Sequence, residues 1–199
     1  MTDLAIDKRK TSLVVIDLQK GITSMRTEPY DTKMVISNAV KLAEAFRENE
    51  MPVFLVHVAF SKQTALQPVA DSAMPSREVP SDWADIVPEL GPTPYDVVIM
   101  KRQWGAFYGT DLDLRLRRGG LDTIVLAGIA TTYGVESTAR FAYEYGYQQI
   151  FAEDAMADRS KEAHDSSIEF VLKRIGRVRK TAEILKALSR ADVEDSKIL

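Results

Sequence analysis

A chain of 199 residues is the length of one domain with a substantial core. Hydrophobic residues at 45% and charged residues at 28% are ordinary for a globular protein, and a net charge of -3 excludes the basic surplus of a nucleic-acid binder. The absence of cysteine excludes a disulfide framework, a thiolate zinc site and a thiol nucleophile. The opening stretch MTDLAIDKRKTSLVVIDL lacks the long apolar region and small-residue cleavage site of a signal peptide. No apolar run approaches the roughly 20 residues that cross a bilayer. These features lead to the expectation of a cytoplasmic, single domain over residues 1–199, with no nucleic-acid or membrane partner.

The first predicted element is a buried strand, SLVVIDL (12–18). From Asp31 to Glu48 the apolar residues Val35, Ala39, Leu42, Ala43 and Phe46 fall on one helical face. PVFLVHV (52–58) and DVVIMK (96–101) are the second and third strands. Thr110 and Asp113 have the spacing of a capping pair for a helix that carries Leu112 and Leu116 and stops at Gly119-Gly120. DTIVLAG (122–128) is the fourth strand, followed by a helix over about 134–145. QQIFAE (148–153) is the fifth, and a helix bearing Ser167, Ile168, Val171, Leu172 and Ile175 follows. GRVRKT (176–181) reads as a short edge strand, and Thr181 as the cap of a last helix through Ile184, Leu185 and Leu188. Strands that are nearly continuous in apolar residues, alternating with helices, indicate an α/β fold with a mostly parallel sheet covered on both faces. Between the second and third strands lies a loop, at about 61–95, with six of the eight prolines. A connection of that length is either a functional lid or docking arm, or a surface elaboration.

In such sheets ligands bind beyond the carboxyl ends of the strands, so polar groups at strand exits are the first candidates. Asp17 closes strand one after four apolar residues, where a carboxylate is half desolvated and its pKa can be tuned. The alternative is a carboxylate that braces a loop. Lys101 closes strand three, a place where a solvated lysine is also common. The segment after it, RQWGAFYGTDL, is dense in aromatics, and Trp104, Phe107 and Tyr108 suit either a pocket wall or core packing. Gly134 opens a helix whose first amides lack an intrahelical partner and suit an anion or oxyanion, unless it is an ordinary helix start.

The stretches VVIDLQ and KRQWGAFYGTDLDLRLRRGGLDTIVLAGIATTYGVESTARFAYEYGY together resemble the isochorismatase-like cysteine hydrolase family. The resemblance runs from the first strand to about Ile184 and points to a bacterial subgroup with glycine at the nucleophile position. It implies a three-layer α/β/α sandwich on a six-stranded sheet, assembled as a homodimer or homotetramer, and no cofactor. It also implies an Asp at the end of strand one, a Lys at a later strand end and a Cys, followed by Val, at a helix start. Asp17 and Lys101 match the first two positions, and Gly134 followed by Val135 stands at the third. A non-proline cis peptide between Ile129 and Ala130 is implied, with the amides of Ala130 and Gly134 forming an anion or oxyanion hole. Thr131 and Tyr133 join Trp104, Phe107 and Tyr108 as residues of the implied substrate pocket. Nicotinamidase-type members hold a metal with an Asp and several His after strand two. Here that region offers only His57, read as a packed strand residue, while His164 lies far along the chain, so no metal site is expected.

Without the thiol, covalent amide hydrolysis loses roughly a million-fold in turnover. Ser137 and Thr138 lie a turn beyond Gly134, and no histidine in the local motif activates Thr131 or Thr132. Isochorismatases of this family also carry glycine here, because enol ether hydrolysis needs a proton donor rather than a nucleophile. The expectation is therefore a hydrolase using Asp17 as an acid on a small anionic substrate such as isochorismate. Two alternatives stand beside it: a silent small-molecule-binding or scaffold member, and a C–N hydrolase using activated water. Those isochorismatases place a glutamine near the end of strand two, where this chain has Val58 or its neighbours; Gln103 and Gln19 are the possible substitutes. The proline-rich loop with Trp83 is expected to cross a subunit boundary and help close the pocket.

Overall fold

The structure, a computed structural model, describes residues 4–59, 69–72 and 79–195. Six strands, β1 (Thr11–Ile16), β2 (Val53–Val58), β3 (Val97–Lys101), β4 (Thr123–Ile129), β5 (Gln148–Ala157) and β6 (Arg177–Arg179), form one sheet in the order β3-β2-β1-β4-β5-β6. Every pairing is parallel. Because side chains alternate across a strand, β1, β2, β4 and β5 each feed two cores. A short helix α1 (Lys20–Thr23) follows β1, and Leu13, Val15, Val53, Leu55 and Val125 pack under helices α2 (Thr32–Glu48) and α7 (Thr181–Asp195). Val14, Ile16, Phe54, Val56 and Leu126 face the opposite layer. That layer holds α3 (Leu112–Arg118), α4 (Glu136–Glu144), and the run α5 (Lys161–Ser167), a π-helical stretch (Ile168–Leu172) and α6 (Lys173–Ile175). No described helix is long and apolar enough to cross a membrane.

The strand order reverses direction between β1 and β4, which puts the topological switch point at their carboxyl ends. Gly128 allows this pair to approach closely: its φ is +125°, and a Cβ there would collide with the Ile16 carbonyl oxygen. The helix after β4 starts earlier than its sequence suggests. A π-helical turn over Thr131–Val135 precedes α4, and the amides of Tyr133 and Val135 both donate to Ala130 O, at 3.1 and 3.2 Å.

Two expected caps are made differently. Thr110 Oγ1 accepts from Leu112 N at 3.2 Å, but Asp113 takes the Tyr147 hydroxyl at 2.7 Å rather than reaching back to complete a box. Thr181 does not cap α7. Its amide and hydroxyl both donate to Asp154 Oδ1 at 2.7 Å, so a carboxylate from β5 satisfies the helix start. Much of the proline-rich loop lies outside the described residues. Its last part is a strap laid against the segment after β1: Val87 N donates to Leu18 O, Lys20 N to Asp85 O and Gly21 N to Trp83 O. The Trp83 indole covers Gly21 so closely that a Cβ there would overlap the ring.

Candidate active site

Asp17 leaves β1 with φ +53°, in the left-handed region that Asp enters more readily than most residues. Its amide still donates to Val56 O of β2 at 2.8 Å, so the strand ladder fixes where the turn occurs. Lys101 ends β3, and β2 lies between that strand and β1. Its side chain spans the gap, and Nζ donates to Asp17 Oδ2 at 2.7 Å and to Gln103 O at 3.2 Å. The ammonium side chain is 1% exposed and the carboxylate 7%. Asp17 Oδ1 is buried and has no hydrogen-bond partner among the described residues.

That arrangement sets the carboxyl pKa. Burial raises Asp17 to about 6, against the lowering charge and hydrogen bond of Lys101, the charge of His57 and the Val58 amide. Desolvation is the largest of these influences and sets the direction of the shift.

Gly134 borders the same carboxylate. A Cβ on it would lie 3.0 Å from Asp17 Oδ2, 2.7 Å from Ile16 Cγ2 and 3.6 Å from Trp104 O. Asp17, Lys101 and Gly134 therefore converge across three segments of chain. The Ile129–Ala130 peptide immediately before the turn is cis. Thr138 ties the turn to the β3–α3 loop: its hydroxyl donates to Gly134 O at 2.6 Å and accepts from Ala106 N at 3.0 Å.

The aromatics divide. Trp104 is 54% exposed and meets Tyr133, 37% exposed, edge to face at 4.8 Å beside Gly134. Tyr108 is also exposed. Phe107 is a correction: it is buried in the core and packs on Tyr145 and Tyr147, so it does not wall a pocket. Thr131 is a second correction. It is fully buried, and its hydroxyl is engaged by His164 Nδ1 at 2.9 Å, so it is part of the turn's support and not of a substrate wall. Gln19 cannot orient a ligand either, because its amide is spent on the backbone. Oε1 accepts from Val58 N at 2.8 Å, and Nε2 donates to Val58 O at 3.0 Å and to Trp83 O at 3.2 Å, clamping the strap to the end of β2. His57 Nδ1 sits 2.8 Å from Ala84 O in the same strap. Among the described residues no group of three or more His, Cys, Asp and Glu could hold a metal ion.

Sequence reasoning missed His164. It is fully buried, with Nε2 3.4 Å from Glu153 Oε1. Glu153 also accepts from the Tyr30 hydroxyl, at 2.9 and 3.1 Å, and from Lys180. Burial pushes this carboxyl up, but the bonds from His164, Lys180 and Tyr30 together outweigh it and hold Glu153 at about 2. The neighbouring Thr132 is gripped by Asp158, whose Oδ2 accepts from both its amide and its hydroxyl at 2.7 Å. The signal for this network was tertiary, since Thr131 and His164 are 33 residues apart.

Comparison with known proteins places the site in a family. The isochorismatase domain family matches residues 11–183. The uncharacterised isochorismatase family protein YwoC of Bacillus subtilis is 51% identical over 190 residues, covering 94% of this chain and 98% of that one. A probable isochorismatase of Pseudomonas chlororaphis is 28% identical over 182 residues, covering 91% of this chain and 87% of that one. The structure of an isochorismatase family protein from Burkholderia thailandensis superposes with a TM-score of 0.90 at 38% identity, covering 94% of this chain and all of that one. A match spanning every strand and every site residue, carried at half identity by a full-length relative, means that this chain belongs to the isochorismatase family.

Proposed function

We propose that the protein hydrolyses the enol ether of a small anionic substrate, isochorismate or a close analogue, with Asp17 as the general acid. The observation that carries this reading is the buried Asp17 carboxyl, with one oxygen unpartnered and a pKa raised to about 6. An acid poised near neutrality is what protonation of a vinyl ether requires. Gly134 supports it from the other side, because the position that would carry a thiol is closed by Ile16 and Asp17 instead. The 28% identical relative whose name is probable isochorismatase supports the choice of substrate.

In the proposed reaction a substrate carboxylate pairs with Lys101 and takes up part of the ammonium now held by Asp17. The protonated carboxyl of Asp17 adds its proton to the terminal vinyl carbon, giving an oxocarbenium ion. Water attacks the oxygen-bearing carbon of that ion and loses a proton to the Asp17 carboxylate. As the resulting hemiketal breaks its bond to the ring oxygen, Asp17 returns that proton to the ring oxygen and takes up the hemiketal hydroxyl proton. Pyruvate and the ring diol leave. The amides of Ala130 and Gly134 hold the carboxylate of the pyruvyl group, and Trp104 and Tyr133 flank the ring. No thiolate takes part.

The test is pyruvate release from isochorismate by the purified protein, beside a panel of small amides. Asp17→Asn is expected to lose 10²- to 10⁴-fold, roughly the contribution of a general acid. Circular dichroism checks that the variant is folded, because Lys101 is left buried without its counter-ion. Unchanged turnover in a folded Asp17→Asn protein removes the acid role. Ligand binding with no turnover on any substrate identifies a binding protein instead.

A further inference from the structure

The Thr131–His164–Glu153 chain lies outside the proposed chemistry, yet it ends on the turn that carries Gly134. Glu153 is held at about 2 and accepts at its carboxylate, so His164 donates to it through Nε2–H and turns Nδ1 toward Thr131. The Thr131 hydroxyl and Nδ1 share a hydrogen bond at 2.9 Å, which joins the turn to the chain. Both partners are fully buried, and the Tyr30 ring meets the imidazole edge-on at 6.1 Å. Complete burial also leaves the Thr131 hydroxyl no approach to a substrate, despite its hydroxyl–imidazole–carboxylate arrangement.

The turn itself is weakly self-supported. Two of its amides share one acceptor, Ala130 O, in a π-helical geometry. External bonds make up the difference: His164 on Thr131, Asp158 on Thr132, and Thr138 on Gly134 O. Of these, only His164 approaches from α5, through a chain that continues to Lys180 before α7. We propose that His164 and Glu153 are positioning residues, holding the Thr131–Val135 turn so that Gly134 stays pressed against Asp17 and keeps water from its carboxyl. This rests on the reading of Asp17 and Gly134 as the reacting site.

The consequence is measurable without a substrate. Asp17 is faced by Lys101 from β3, by His57 and the Val58 amide from β2, and by the Gly134 turn after β4. Loosening the turn changes none of those charges. It admits water, which lowers the carboxyl midpoint from about 6 toward the ordinary aspartate value of 3.8.

The experiment uses the full chain with Thr131→Val, Thr131→Ser and His164→Gln, following the Asp17 carboxyl by carbon NMR and the Gly134 amide by hydrogen exchange. Thr131→Val is expected to lower the Asp17 midpoint by about one pH unit and to speed Gly134 exchange about tenfold, with the central strands unchanged. Thr131→Ser, which keeps the hydroxyl, is expected to restore both. If Thr131→Val does not fold, His164→Gln carries the same expectations. An unchanged midpoint and unchanged exchange in a folded variant overturn the proposal, as does failure of Thr131→Ser to restore them. Where the wild type releases pyruvate, the variants should lose kcat with KM unchanged. A wild type that releases none sinks the enol ether reading alone, because titration and exchange still decide the positioning role.

Discussion

Two carboxylate–lysine pairs sit at the carboxyl end of this sheet, and they behave oppositely. Asp17 with Lys101 is pushed up to about 6, while Glu153 with Lys180 is pulled down to about 2. Both feel desolvation and both have an ammonium in contact, so the presence of a lysine does not decide the outcome. Depth of burial and the number of donors do, since the Asp17 carboxylate is the more deeply buried of the two. Glu153 is met by an imidazole, a phenol and an ammonium, whereas Asp17 keeps one oxygen with no partner among the described residues. Burial and completeness of hydrogen bonding together separate a carboxylate held well below its ordinary range from one pushed up toward neutrality.

The largest effect that would break this contrast is on rate. With Asp17 at about 6, roughly a tenth of molecules carry the acid form at pH 7. Pyruvate release should therefore fall about tenfold per pH unit above that midpoint. A pH–rate profile flat from 5 to 8 would place the acid elsewhere.

Stability should show the contrast next, with slopes of opposite sign. Asp17 keeps its proton in the folded state up to about 6 but loses it near 3.8 when unfolded. Its contribution is fully present below 3.8 and is lost as pH rises through about 6, roughly 3 kcal/mol at most. Glu153 runs the other way: its contribution is present above 4.5 and is lost as pH falls through about 2. Urea midpoints between pH 2 and 7 should show Glu153→Gln flattening the acid limb and Asp17→Asn flattening the fall between 4 and 6.

The smallest effect concerns Gly134. Gly134→Cys should cost about 1–3 kcal/mol, since its Cβ must displace Ile16 Cγ2 at 2.7 Å. Combined with Ile16→Ala, the loss should be smaller than the sum of the two single losses, read from urea unfolding. Simple additivity would mean that the position has room for a side chain.

Much of the fold was legible because its signals are local. Apolar runs such as SLVVI announce strands, and Asp17 stood out as a carboxylate ending one. Strand ends, glycines and the family pattern likewise directed attention to Lys101 and Gly134. Their meeting was not readable from spacing, since Lys101 and Asp17 are 84 residues apart. Phe107 was ambiguous for a physical reason: aromatic density after a strand looks the same whether the rings face a ligand or a core. Thr181 was misread because its partner, Asp154, comes from another strand. The part played by His164 was not legible because the imidazole reaches Thr131 from a helix beyond β5, 33 residues further along the chain.

The indole resting on Gly21 has a practical use. The chain has two tryptophans in different surroundings, Trp83 on the strap against Gly21 and Trp104 edge to face with Tyr133. Their emission therefore divides naturally between them. Replacing either with phenylalanine leaves a single intrinsic fluorophore, one reporting whether the strap lifts and the other whether a ring stacks near Gly134.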